Sequence, residues 1–306
     1  MHSRGLCVRR LHHQAARCLA ILALLFASSA SRAVIAEESW RWTDTLSIFG
    51  GLEGSKQPQD VGVNANFGGR GAVNFGFPIW EEAGLGVQVG TSFTLTDNAV
   101  RVLEALNISK DRFQNHSTVG VFQRIDNFTG FTWAIAWDHL YEDYYADISL
   151  HQFRGRAGLS VTECDEIGTW GTISADEHRV SVGGTTVNLS PVDQINIFWR
   201  HLWRSGVETE VWGGVANGHG EVVHVLPGNP SINTAPLFGA SLHVPLNDHL
   251  AIMGQGNFIL PADTGTVDSY LGFVWYFDKP SHVRYSRFAP VLDVAASTSF
   301  PVDLSR

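Results

Sequence analysis

His219, Glu221 and His224 fall within six residues of a glycine-rich stretch, Gly218-His219-Gly220-Glu221. Imidazoles and carboxylates are good ligands for zinc and other transition metals. On a strand, positions 219 and 221 would share a face while 224 turns away, and the spacing implies no fourth ligand. His219 and Glu221 are therefore the metal candidates, in a stretch that reads better as a polar surface loop, and no cofactor is expected. A second group, Tyr141, Glu142, Asp143, Tyr144, Tyr145 and Asp147, combines carboxylates with phenol rings, as a calcium or sugar site would. It lacks an Asp-x-Asp-x-Asp-Gly loop and reads as a solvated turn beside aromatic residues. For nucleophilic catalysis, His139, His151, His201 and His243 lie among many serines, but there is no Gly-x-Ser-x-Gly elbow. Gly158-Leu159-Ser160 and Gly239-Ala240-Ser241 look like ordinary strand sequence. The expectation is that the chain is not an enzyme; the alternative is a lipid-modifying hydrolase that uses His201 or Ser160.

The remaining polar residues form rows. Asn66, Arg70, Asn74, Gln88, Arg124, Asp138, Arg200, Glu208 and Glu210 fall on the wet face of two-period runs, with Arg154, Arg156 and Arg204 beside them. If that face lines a lumen, these residues set its ion preference and width. They serve equally as internal salt-bridge ladders that plug a barrel, or as a solvated sheet face.

The elements that must carry such rows are strands. From Gln194 to Ala216, Ile195, Ile197, Trp199, His201 and Trp203 alternate with Asn196, Phe198, Arg200, Leu202 and Arg204. Side chains of a strand point to alternate faces, so the run has an apolar and a mixed face. After Ser205-Gly206 a second run follows. A three-residue loop, Ser205 to Val207, sets Arg204 against Glu208 and His201 against Val211, and keeps the apolar rows together. It requires Gly206 in the left-handed conformation.

With the two halves of this hairpin, twelve alternating runs make up the pattern: Thr45–Glu53, Ala65–Phe77, Gly84–Thr96, Asn115–Ile125, Gly130–Leu140, Ala146–Val161, Glu166–Ala175, Gln194–Arg204, Val207–Ala216, Pro236–Pro245, His249–Leu260 and Asp268–Phe277. Glu177–Leu189 holds room for one more short strand. One helix fits, Ala99–Leu106, capped by Asp97 or Asn98. The fold class predicted is all-β: a single antiparallel up-and-down β-barrel of about 12 strands.

Alternation does not say whether the apolar face meets lipid or a protein core. The runs exceed the usual soluble strand of about five or six residues and approach the roughly nine to eleven that cross a bilayer. Trp80, Trp137, Tyr141, Trp199, Trp203, Trp275 and Phe277 cluster near run ends, as interfacial girdles do. Arg4, Arg9, Arg10 and Arg17 precede an apolar run, Cys18 to Ala27, and a small-residue region, which reads as a secretory signal cleaved after Ala36. The expected organisation is a signal at 1–36, a barrel at 37–277 and an extended tail at 278–306, with Phe288-Ala-Pro-Val and Ser299-Phe-Pro-Val as pieces that dock on something. Without the signal, 16 basic residues face 30 acidic ones, a net charge of −14, and Cys164 alone remains. An acidic surface excludes a nucleic-acid partner, and one cysteine excludes an internal disulfide. The expected partner is outer-membrane lipid, the solute or envelope partner being unspecified. The function expected is a passive pore or structural envelope protein; the alternative is a periplasmic or secreted soluble barrel or sandwich that binds a glycan or envelope partner.

Gly50-Gly51-Leu52-Glu53-Gly54-Ser55-Lys56 leading into Asn64–Phe77, then Tyr141-Glu142-Asp143-Tyr144, Gly218-His219-Gly220-Glu221 and Pro261-Ala262-Asp263-Thr264-Gly265-Thr266, resemble an uncharacterised family of exported planctomycete proteins, a domain of unknown function. The resemblance covers nearly all of the chain after the signal. It implies an envelope location and carries no activity or catalytic residue.

Overall fold

Twelve strands close on themselves because each buries one polar row inward and leaves one apolar row outward. The computed structural model describes residues 40–60, 65–98, 111–125, 130–182, 185–217, 234–260, 266–278 and 286–305. The predicted signal at 1–36 and the helix predicted at Ala99–Leu106 lie outside the described residues. The barrel strands are β1 (Ser47–Lys56), β2 (Asn66–Trp80), β3 (Leu85–Asn98), β4 (Asp111–Arg124), β5 (Phe131–Asp143), β6 (Asp147–Ser160) and β7 (Asp165–Ser174). After a short hairpin of β8 (His178–Val182) and β9 (Thr185–Pro191), the wall resumes with β10 (Asp193–Leu202), β11 (Glu208–Asn217), β12 (Thr234–Pro245), β13 (Leu250–Ile259) and β14 (Val267–Tyr276). All pairings are antiparallel between neighbours in order, with β7 joined to β10, and β1 pairs with both β2 and β14 to close the ring. The twelve predicted runs are these twelve strands, and the extra stretch at Glu177–Leu189 is the β8–β9 hairpin outside the wall. Among the described residues the helical elements are two 3-10 turns, Trp42–Asp44 and Pro58–Asp60.

The two faces are opposite to those of a soluble barrel. On β10, Ile195 and Ile197 are 62% and 74% exposed, while Asn196 and Phe198 beside them are 1% exposed. Phe67, Trp199 and Trp275 lie outside, and Arg70 and Asp138 are buried inside. The outward apolar row runs on through Leu95, Val119, Ile135, Phe153, Ile173, Leu271 and Phe273.

The β10–β11 hairpin corrects the predicted register. Trp203 and Val207 close the turn, Trp203 N donating to Val207 O at 2.8 Å, so the three-residue loop is Arg204 to Gly206. His201 stands opposite Thr209, not Val211, and Leu202 opposite Glu208. Loop length and the left-handed Gly206, at φ 81°, are as expected; the loop starts one residue earlier. A three-residue hairpin loop places its left-handed residue last, and only the Arg204–Gly206 loop puts the glycine there. Arg204 therefore lies exposed in the turn and not on the wet face.

The connections differ at the two ends. At one end they are short: Glu81–Gly84, Val161–Cys164, Trp203–Val207 and Leu246–His249. At the other lie the β8–β9 hairpin and the stretches 99–110 and 218–233. Residues 286–305 start at the short-turn end, beside Gly76 and Gly84, and run through the lumen toward the other. There β15 (Val302–Ser305) pairs with β9, so that β15, β9 and β8 form a three-stranded sheet over the mouth. Phe300, Val302 and Leu304 pack with Leu140, Ile148, Leu150, Val180, Val187 and Leu189 into an apolar cluster that joins wall, hairpin and tail. Two inward glycines make room for the passage. A Cβ at Gly76 would strike the Phe288 carbonyl oxygen, and one at Gly90 the Val294 side chain.

Candidate functional site

An extended segment inside a barrel has no neighbouring strand along most of its length, so side chains must satisfy its backbone. The wall supplies them in sequence. Arg124 Nη2 donates to Pro290 O at 3.3 Å, and Asn74 Nδ2 and Gln88 Nε2 both donate to Leu292 O at 3.0 Å. Gln88 Oε1 accepts from Leu292 N at 3.1 Å, which makes that contact reciprocal. Arg154 Nη2 donates to Asp293 O at 2.9 Å, Arg70 to Val294 O at 3.4 Å and Ser92 Oγ to Ala295 O at 3.0 Å. Ala295 N donates to Thr118 Oγ1, Gln152 Nε2 to Ser299 O and Val302 N to Gln57 Oε1, each at 3.0–3.1 Å. The rows of Asn, Gln, Ser, Thr and Arg are thus a receptor for the tail.

Ion pairs hold those receptors in place. Glu53 faces Arg70 at 3.3 Å, and Asp138 takes two contacts of 3.0 Å from Arg154 while Thr118 donates to it at 2.7 Å. Toward the long-loop mouth, fully buried Arg112 meets Glu142 at 2.7 Å and Asp60 at 3.6 Å. Away from the tail's line, Arg156 grips Glu210 through two contacts of 2.9 and 2.7 Å and stacks its guanidinium 3.7 Å from the centre of the Phe198 ring. Arg200 pairs with Glu166 and reaches Glu208 at 3.9 Å. Burial pushes Asp60 in the β1–β2 connection up to about 6, against the pull of Arg112.

All nine predicted lumen residues sit inside the barrel: Asn66, Arg70, Asn74, Gln88, Arg124, Asp138, Glu208 and Glu210 are buried and Arg200 is half-buried. Four of them, Arg70, Asn74, Gln88 and Arg124, touch the tail directly. Asn66 instead donates to Asp60 at 2.8 Å. Two of the spaces beside the tail in the lumen are cavities of about 60 and 90 Å³. The larger is bounded by Arg156, Arg200, Glu210, Trp170 and Trp212 on the wall and Leu292 on the tail. Each holds a few waters at most.

Other predicted sites fare differently. His219 and Glu221 lie outside the described residues. The acidic-aromatic group is a solvated turn only in part: Tyr141, Asp143 and Asp147 are exposed, but Glu142 and Tyr144 are buried, and Glu142 anchors Arg112 and Gln114. The period-two rule carries Glu142 inward with Asp138 and Leu140 once β5 is extended to Asp143. His201 Nδ1 meets Asp165 Oδ1 at 2.7 Å, and Ser160 stands opposite Glu166 rather than beside His201. His243 turns inward to the Tyr276 hydroxyl at 2.9 Å.

A family of unknown function, DUF6666, matches residues 45–302, a span from just before β1 to the start of β15. The chain belongs to this family. Among proteins with curated descriptions, none matches the sequence. Among solved structures, the chain is similar to the translocator domain of the autotransporter NalP from Neisseria meningitidis. That match has a TM-score of 0.50 at 10% identity and covers 86% of this chain and 97% of that one. It is also similar to the NanC porin, with a TM-score of 0.43 at 9% identity over 74% of this chain and 98% of that one. A third is outer membrane phospholipase A from Escherichia coli, with a TM-score of 0.40 at 7% identity over 75% of this chain and 95% of that one. At these identities the likeness speaks to fold alone, that of a closed β-barrel, and the NalP match carries it.

Proposed function

We propose that this chain is an outer-membrane β-barrel held shut by its own C-terminal segment, a closed structural protein of the envelope and not a constitutively open pore. The observation that carries the reading is the tail itself, hydrogen-bonded at eight of its thirteen residues from Pro290 to Val302 to side chains of the surrounding barrel. The membrane assignment rests on the outward row of Ile, Leu, Phe and Trp, which in water would be a very large apolar patch. Strands of ten to fifteen residues suit a tilted crossing. Short turns at one end and long connections at the other follow the periplasmic and extracellular pattern of such barrels.

Two measurements test the two halves of this reading. The native protein is expected in the detergent-extracted membrane fraction, with heat-modifiable migration in gels; full recovery without detergent refutes the membrane half. In planar bilayers the full chain is expected to give no steady conductance. A stable open channel from the intact chain refutes the closed half.

A further inference from the structure

Where the outward apolar row meets the polar rim at the long-loop end, four polar side chains interrupt it. His139 Nε2 lies 2.9 Å from Ser149 Oγ, on adjacent strands β5 and β6. His151 Nδ1 lies 2.6 Å from Asp176 Oδ2. The two imidazoles stack at 4.9 Å between centroids, and Trp137 stacks on both, at 6.0 and 5.2 Å. All of them face outward, alternating with inward Asp138, Leu140, Leu150 and Gln152. Ser149 and His139 are half-buried, so the hydroxyl is accessible from the side. Trp137 and Phe153 lie toward the apolar row, and Tyr141, donating to Asp147 at 3.2 Å, lies toward the rim.

Ionisable side chains on a lipid-facing surface are costly and mark function. A hydroxyl within hydrogen-bond reach of an imidazole is the arrangement of a nucleophile and its base. From this geometry we infer that Ser149 and His139 form a nucleophile–base pair that cleaves acyl esters of membrane lipids at the outer interface. The inference rests on the membrane reading above, because only a lipid-facing barrel brings such esters to this row. With its ring hydrogen on Nδ1, His139 accepts the Ser149 proton at Nε2 as Oγ bonds to the ester carbonyl carbon. The bond from that carbon to the lipid oxygen then breaks, and the alcohol, a lysolipid, leaves with the proton from His139. Water attacks acyl-Ser149, giving its proton to His139, and the fatty acid is released with Ser149 restored. His151, fixed by Asp176, is a positioning residue that holds the His139 ring by stacking.

The ester is that of a phospholipid or of an acylated lipopolysaccharide, and the test separates them. Full-length protein folded in detergent is treated with a fluorophosphonate probe, and the labelled peptide is identified by mass spectrometry. Fatty-acid release is followed from phosphatidylethanolamine vesicles and, separately, from vesicles containing lipopolysaccharide. The expected results are an adduct on Ser149 and release from at least one vesicle type. Ser149→Ala abolishes both, and His139→Phe, which keeps the stack, lowers both more than about 100-fold. Heat-modifiable migration is retained in both variants, which separates loss of chemistry from loss of fold. Absence of a Ser149 adduct on a heat-modifiable barrel, no release from either lipid, or undiminished release from Ser149→Ala overturns the inference while leaving the closed-barrel reading intact. A soluble protein with no detergent requirement removes both.

Discussion

The interior of this barrel places charged side chains where water is nearly absent, and each is tolerated because a partner was built beside it. Asp60 shows the balance. Its carboxylate accepts from Gln57 N and from Asn66 and faces Arg112, yet burial outweighs them and its pKa sits near 6 against 3.8 in the unfolded chain. A raised carboxylate pKa means that the folded state holds its proton more tightly. The stability it contributes is full below about pH 4, declines as pH rises through 6 and is flat above. The effect is at most on the order of 3 kcal/mol. Asp60→Asn should therefore gain on the natural protein as pH rises from 4 to 7, measured by urea unfolding in lipid vesicles at each pH; a difference independent of pH refutes this. Which residues face inward was legible, because Arg70, Asn74, Gln88 and Asp138 keep strict two-residue spacing. Arg112 and Glu142 escaped because the runs read from sequence began at Asn115 and ended at Leu140, four and three residues short of the true strand ends. Polar residues at strand ends look like loop until their partner across the lumen is known, and that partner is distant in sequence.

The strands were legible for the same reason: a one-residue slip would turn Ile195, Ile197 and Trp199 inward and Arg200 out. The hairpin register was not, since two loops of equal length preserve the faces and only the final-position rule for Gly206 separates them. The tail was the least legible element. Residues 286–305 have no alternation, and their apolar side chains, Leu292, Val294 and Phe300, look like those of any docked segment. The sign of its destination was on the wall, in small inward residues opposite nothing. Gly76 is the sharpest of these, since its missing Cβ is the space that the Phe288 carbonyl occupies. Gly76→Val should displace the tail's entry without disturbing the outward row. The expected outcome is a barrel that still migrates as folded while protease cuts between Phe277 and Leu292 at least about tenfold faster. Unchanged cleavage would show that the tail does not pass this point.

Wall and tail depend on each other unequally. Closure of the wall comes from strand-to-strand ladders all the way round, from β1 back to β14, and from the lipid-facing row. Neither uses the tail. The tail, by contrast, finds its partners on the wall and on the β8–β9 hairpin, apart from its own turn at Ala296–Phe300. Deleting residues 286–306 should therefore leave a heat-modifiable barrel and expose Arg70, Asn74, Gln88, Arg124 and Arg154 to water in an open lumen. Twelve strands lie between the eight of a barrel filled by side chains and the sixteen of a conducting one, so the interior freed by the tail should conduct. Its selectivity follows from the wall. Among the described residues, Glu53, Asp60, Asp138, Glu142, Glu166, Glu208, Glu210 and Asp268 are buried, against Arg70, Arg112, Arg124, Arg154 and the half-buried Arg156 and Arg200. Acids outnumber arginines by eight to six, so the truncated barrel should prefer cations weakly, and less so below pH 6 as Asp60 takes up its proton. Reversal potentials across a potassium chloride gradient measure this. An anion-selective channel would mean that the arginines, freed of the tail's carbonyls, no longer face their carboxylates, and that the ion pairs depend on the segment they hold.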